Sequence, residues 1–513
     1  MEAARHKPAL TCENLVTPTL PDELAHWQKV IEGYAREAGL DFFPVFFEVL
    51  DWKQMNEVAA YGGFPNRYPH WRFGMEYEQL SKSYAYGLSK IYEMVINNDP
   101  SIAYLLYCNA MVDQKLVMAH VYAHVDFFKN NVYFAHTNRK MMDSMANHKI
   151  RIQRYIDRYG REMVESFIDV ALSLDNLVDY HAPAIRRSLP IDIETDLSEA
   201  DEDDRVVTTK LSNKKSYMDK FINPKDFLED QRDAILEERR KRHDKFPLDP
   251  VRDVLEFLIE YAPLKPWQRD VISIVRDEAY YFIPQGQTKI MNEGWASYWH
   301  STLMTQKILN DSEFIDFADH HSGTVVQQPG RLNPYKIGLE LFRDIEERWN
   351  KGHFGKAYDE CEDMVKKAKW DTGANQGRQK IFEARKLYCD LTFLDTFLTP
   401  EFCERQNLFA YGYKESNKRH EITSRDFKAV KDQLLVSLSN FGQPMIHLID
   451  ANYKNRNELL LEHQHFGVDL DLEYAQEVLK NLAIVWKRPV HVLTKTNDTQ
   501  KRYSHDGKEF REE

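Results

Sequence analysis

The stretch "VMAHVYAHVDFFKNN", residues 117–131, places His120 and His124 four apart in an otherwise apolar run. On a helix, positions i and i+4 stack on one face, so both imidazoles can converge on a single ion. Helical zinc hydrolases use this spacing with a glutamate directly after the first histidine, where it acts as the general base. Here that position is Val121. Two imidazoles in an apolar helix need partners or a metal to offset their desolvation. The pair therefore reads either as a metal site that takes its base from elsewhere or as two hydrogen-bonded core histidines.

A third ligand for zinc or another divalent metal is on offer in "KIMNEGWASYWHS", residues 289–301, where Glu293 stands near the start of a helix. The same position is also one where a carboxylate simply favours the positive helix end. His300 follows Glu293 by seven residues, about 10 Å along the axis. That suits contact with a ligand or a substrate rather than the same ion. For a base, the candidates are Asp126, two residues past the histidine pair, and Asp175 and Asp179, read as i,i+4 on an apolar helix in "ALSLDNLVDYH". The polar segment "HHSGTVVQQPGRLNPYKIG", residues 320–338, offers His320, His321, Arg331 and Tyr335. Such a loop can cover a site and supply an oxyanion donor. Asp126, Asp179 and Tyr335 are thus the candidate catalytic groups, with His300, His320 and Arg331 as further contacts. There is no GxSxG, no Walker loop and no GxGxxG before a helix, so nothing points to a serine nucleophile or a phosphate cradle. His463 and His465 alternate on a strand read as a solvent-facing edge.

The elements that must position these groups are mostly helical. Residues 22–39 read as an amphipathic helix closed by Gly39. The Gly-, Pro- and ring-rich segment 61–74 reads as a loop, with a helix from Met75. "SIAYLLYCNAMVDQKLVMAHVYAHVDFF" is apolar almost all round, as a buried central helix would be. Two more helices are legible at 137–159 and 161–181. Residues 190–245 change character: "ETDLSEADEDDR" is acidic and "DQRDAILEERRKRHDK" is a charged helix, together a surface excursion expected to be least ordered at 195–220. Helical pattern resumes after it, with a turn at Pro284–Gln287, and runs to about residue 397. From about 405 the period changes to helix, strand, turn, strand, and then helix and strand again. The fold expected is mainly α: a large multi-helix domain over 20–400 with a buried polar centre and zincin-like helices, plus a small α+β domain over 405–510.

Composition sets the limits. The 513 residues are 43% hydrophobic and 29% charged, ordinary for a folded protein, and 27 Tyr with 28 Phe suggest thick helix packing. A net charge of −13 gives no sign of nucleic-acid binding. Five scattered cysteines show no zinc-knuckle or redox spacing. No apolar stretch reaches the roughly 18 residues that span a bilayer, and the N-terminus has no signal-like apolar core. A cytoplasmic protein is expected.

"YPHWRFGMEYEQL", the histidine stretch, "KIMNEGWASYWH" and "LNPYKIGLELFRDIEERW" resemble the stage V sporulation protein R (SpoVR) family, over about residues 25–500. The resemblance implies a bacterial cytoplasmic protein linked to formation of the peptidoglycan spore cortex during sporulation. It also implies a PrkA-like serine kinase and a von Willebrand-type protein as partners. It implies no biochemical activity. Two uses of the polar centre stay open: a regulatory, partner-binding protein with a metal site, or a zincin-like metal-dependent hydrolase acting on amide bonds.

Overall fold

The helix Met111–Asn130 organises the first of two units. From Val112 to Phe128 nearly every residue is buried, which the all-round apolar sequence requires. It ends where Asn131 turns to extended backbone and accepts a hydrogen bond from Tyr133 N through its own side chain. The computed structural model describes residues 20–85, 93–182, 245–326, 332–414, 419–496 and 499–512, with positions 185, 227 and 231. The charged excursion lies outside these residues but for three positions, as does Arg331. The chain divides into a unit of residues 1–165 and 280–442 and a unit of residues 166–279 and 443–513.

In the first unit, three helices pack on Met111–Asn130 (α2): Asp22–Glu37 (α1), Lys289–Leu303 (α3) and Phe314–Thr324 (α4). Pro334–Lys351 (α5) lies along α3, and Gly377–Leu387 (α6) touches both α5 and α2. A small sheet precedes α2. Its strands are Val45–Leu50 (β1), Glu93–Ile96 (β2) and Ser101–Leu106 (β3), in the order β1-β3-β2. β3 is parallel to β1 and antiparallel to β2, with Glu93 opposite Leu105. The apolar run read as one long helix from Ser101 is therefore a strand and then a helix. A short apolar run bounded by a turn fits either element until its partners are known. Two boundaries also move. A helix covers Trp71–Ala85, starting inside the expected loop, and the helix Pro266–Gln287 runs through Pro284 where a turn was expected.

α3 owes its placement to two features. Thr288 makes no side-chain cap, and Asp390 takes over: its carboxylate accepts from Ile290 N at 2.7 Å and Met291 N at 2.8 Å. Farther along, α3 and α5 cross at glycine. A Cβ on Gly294 would lie 2.4 Å from the carbonyl carbon of Gly338, and one on Gly338 would lie 2.1 Å from the carbonyl oxygen of Ile290. Only two hydrogens allow the backbones this close.

The second unit carries a five-stranded sheet of Ile446–Tyr453 (β4), Glu458–His463 (β5), Val490–Thr496 (β6), Thr499–His505 (β7) and Phe510–Glu512 (β8), in the order β8-β7-β6-β5-β4. β5 and β6 are parallel and are joined by the helix Leu472–Trp486; the other pairs are antiparallel. The helix and strand order expected after residue 405 matches from Phe427 to Thr496, and two further strands, β7 and β8, extend the sheet beyond it. The C-terminal part of the unit begins at Gln443, while the ribbon Ala410–Lys414 with Arg419–Ser424 and the helix Phe427–Leu438 fall in the first unit. β5 is an interior strand, so His463 is buried and bonded to Thr494 Oγ1 at 2.9 Å rather than facing solvent. Among the described residues no helix is long and apolar enough to cross a membrane.

Because the clash at Gly294 is with backbone, Gly294→Ala must push α3 and α5 apart. We expect a loss of at least about 1–3 kcal/mol, the usual cost of overpacking, in urea unfolding. An unchanged midpoint would show that the crossing can open freely.

Candidate metal centre

His120 and His124 stand one turn apart on the buried face of α2, and their Nε2 atoms meet two carboxylates. His120 Nε2 lies 3.2 Å from Glu93 Oε1 and 3.6 Å from Glu293 Oε2. His124 Nε2 lies 3.9 Å and 3.5 Å from the same two oxygens. Glu93, His120 and His124 offer ligand atoms all within 4.8 Å of one another. Zinc bound tetrahedrally at about 2.0–2.1 Å has ligand-to-ligand edges of about 3.3–3.4 Å, so these separations are of the size an ion needs. Glu293 and His124, separated by 169 positions in sequence, are brought together because α3 packs on α2.

The outer contacts fix the rings. His124 Nδ1 donates to Asn292 Oδ1 at 2.9 Å, which leaves its Nε2 lone pair facing the carboxylates. His120 Nδ1 is 2.7 Å from His300 Nδ1, and His300 Nε2 is 3.1 Å from His321 Nδ1 on α4. His300 therefore touches a histidine of the pair and not the carboxylates, as its two-turn offset from Glu293 requires. Tyr335, at the start of α5, gives its hydroxyl hydrogen bond to Glu293, and its ring lies 6.4 Å from that of His120.

Burial and charge divide the cluster. Burial pushes Glu93 up to about 7; His120 eases this and Glu293 adds to it. Burial, then repulsion from His120, lowers His124 to about 4. For His120, burial opposes the charge, but Glu93 and then Glu293 outweigh it and raise its pKa. For Glu293, burial is likewise outweighed, here by His120, His124 and Tyr335, and its pKa falls. Burial drives His300 well below its ordinary value, reinforced by the neighbouring histidines. The Oε2 atoms of Glu93 and Glu293 are buried and have no hydrogen-bond partner. Buried carboxylate oxygens of that kind call for a cation or water.

The other expected site residues stand elsewhere. Asp126 points away from the pair, as a position two residues on along a helix must. It accepts from Asp41 N and Trp295 Nε1, each at 2.8 Å, and faces Arg385 at 3.5 Å, so it ties α2 to α3 and α6. Asp175 and Asp179 are not on a helix, which stops at Leu172. Both lie in the second unit; Asp175 is exposed, while buried Asp179 accepts from His181 N at 3.1 Å. His320 is on α4 rather than in a loop and is paired with Asp113 at 2.5 Å. The sequence reading missed Glu93 and Asn292. A lone carboxylate leading the apolar run "EMVI" was the available sign of the first; Asn292 had none beyond its place before Glu293.

The chain matches the family described as SpoVR like protein over residues 19–443 and the SpoVR-like C-terminal domain over residues 444–497. It is 28% identical over 491 residues to a protein of Escherichia coli (strain K12) named as the uncharacterized protein YcgB, covering 89% of this chain and 88% of that one. No solved structure matches.

In ion-free protein, Glu93 holds its proton more tightly folded than unfolded. Its contribution to stability is full below about pH 4.5 and is lost as the pH rises through about 7. Glu93→Gln removes this loss. Between roughly pH 5 and roughly pH 8, in chelator, the variant should gain on the order of 1–3 kcal/mol over the wild type. A constant difference across that range in urea melts would contradict the assignment.

Proposed function

The chain belongs to the SpoVR-like family, and we propose that it works through one divalent metal ion held by His120, His124 and Glu293, with Glu93 beside it. The observation that carries this is the pair of carboxylates, each with a buried unpartnered oxygen, meeting two imidazoles whose outward nitrogens are already bonded. Two imidazoles and carboxylates without thiolate suit zinc, iron(II) or manganese rather than copper(I). Bound there, the ion would supply a Lewis acid.

A purely structural ion is normally closed in by four protein ligands. Here the Glu93 and Glu293 side chains are 22% and 19% exposed, against 5% and 7% for His120 and His124, with the Oε2 atom of each carboxylate buried. The carboxylate side chains are thus the more exposed members of the centre, which supports a working rather than a fully enclosed site. The wider role implied by the resemblance belongs to the same proposal. The centre would serve a partner-binding protein of spore-cortex formation, with a PrkA-like serine kinase and a von Willebrand-type protein as its partners.

Protein purified without chelator should carry roughly one equivalent of a divalent ion. His124→Ala should lose it, because removing one of few protein ligands cuts affinity steeply. Metal analysis beside thermal unfolding decides: wild-type protein free of metal, and unchanged in stability on adding zinc, would end the proposal.

A further inference from the structure

α2 carries both histidines of the pair, and α3 carries the outer partner of each: Asn292 for His124 and His300 for His120. The two supports differ in kind. Asn292 meets His124 through a carbonyl oxygen, which accepts whatever its surroundings do. His300 meets His120 through a ring nitrogen, Nδ1 at 2.7 Å, and its own Nε2 lies 3.1 Å from His321 Nδ1 on α4. His300 is buried, and burial together with the neighbouring histidines holds it neutral. A neutral imidazole has one donor and one acceptor. His300 therefore accepts from His120 only while it donates to His321.

We propose that His300 is a positioning residue that keeps His120 able to ligate, and that His321 makes this possible by accepting the hydrogen bond at the far end. This rests on the metal reading above. An ion on His120 Nε2 leaves that ring's hydrogen on Nδ1. A buried hydrogen of this kind needs an acceptor, and His300 Nδ1 is the atom in reach. The hydrogen of His300 is then on Nε2 and is given to His321.

The same rings have a second arrangement. In it His300 donates to His120 Nδ1, and the His120 hydrogen stands on Nε2, with Glu93 Oε1 at 3.2 Å to receive it. That arrangement closes the ligand nitrogen to an ion. The affinity of the centre thus depends on which way two hydrogen bonds run. The outer one ends on α4, where the Phe317 ring stacks on His321 at 5.5 Å and meets His300 edge-on at 6.3 Å. A residue with no contact to the carboxylates, and one on a separate helix beyond it, help to decide whether the ion is held.

The test is the zinc affinity of full-length protein, measured by competition with a chromogenic chelator, with thermal unfolding in excess chelator as the control for folding. His300→Leu keeps an apolar filling without an acceptor and should lose about 10–100-fold in affinity, the usual cost of removing an outer partner. His300→Asn sets a carbonyl oxygen close to where Nδ1 stood, as Asn292 does for His124, and should recover most of that loss. His321→Ala should also weaken zinc, by less than His300→Leu. A double-mutant cycle is decisive. With His300→Asn in place the carbonyl no longer needs His321, so adding His321→Ala should cost nothing more. Three results overturn the inference: His300→Leu binding as tightly as wild type; His300→Asn binding as weakly as His300→Leu; or His321→Ala costing the same in the wild-type and asparagine backgrounds. The metal reading survives any of these, whereas a wild type that takes up no zinc defeats that reading and this inference with it. Should His300→Leu not fold in chelator, the cycle of wild type, His300→Asn, His321→Ala and the double variant decides alone.

Discussion

Gly294 and Gly338 let α3 and α5 meet backbone to backbone, and the polar centre takes its shape from that contact. Glu293 and Asn292 precede Gly294 on α3, and Tyr335 is one turn before Gly338 on α5. With larger residues at the crossing, α5 would stand off and the hydroxyl of Tyr335 would leave Glu293. α3 must also present Asn292 and Glu293 together, one toward His124 Nδ1 and the other toward the Nε2 atoms. Asp390 sets the axial position for this by holding the first amides of α3. Burial raises its own pKa to about 7, with the two amide bonds pulling the other way.

Around the centre, the outer ring nitrogens have partners, while one oxygen of each carboxylate has none. His124 leans on Asn292, His120 on His300, and His300 on His321. Asp126 is satisfied by a backbone amide, an indole and a guanidinium. A low-dielectric interior makes each unpaired group costly. Two of those unpaired groups are carboxylate oxygens of Glu93 and Glu293, the side chains that meet the Nε2 atoms of both histidines.

Much of this was legible in the sequence, and the failures have physical causes. The all-round apolar α2 and the i,i+4 histidines required a buried helix with both rings on one face. Glu293 was found because a carboxylate near a helix start stands out among Trp, Tyr and Ile neighbours. Three of the second unit's strands and the helix between them were legible because their periods differ cleanly; the polar strands Thr499–His505 and Phe510–Glu512 were not, having no apolar alternation to mark them. Ser101–Leu106 was not, since an apolar run leading into an apolar helix carries no change of period at its boundary. Losing that strand also hid β2, and with β2 the role of Glu93. Asp126 was misjudged through proximity in sequence: two residues along a helix is about 200° of rotation, which turns a side chain to the opposite face.

The two histidines are supported differently, and the difference constrains how the centre can respond. The carbonyl oxygen of Asn292 can only accept, so His124 has one useful tautomer, with Nδ1 protonated and Nε2 free to ligate. His120 rests on another imidazole, which can either accept or donate, and that ring rests on a third at the half-buried end of α4. An ion on His120 Nε2 requires Nδ1–H to point at His300, and His300 must then donate onward from Nε2 to His321. Ligation at one nitrogen thus dictates the direction of two hydrogen bonds beyond it. The second of these ends on α4, which α2 also holds through Asp113 and His320. The centre is therefore rigid on its Asn292 side and adjustable on its His300 side, and the adjustable side is the one closest to Glu93.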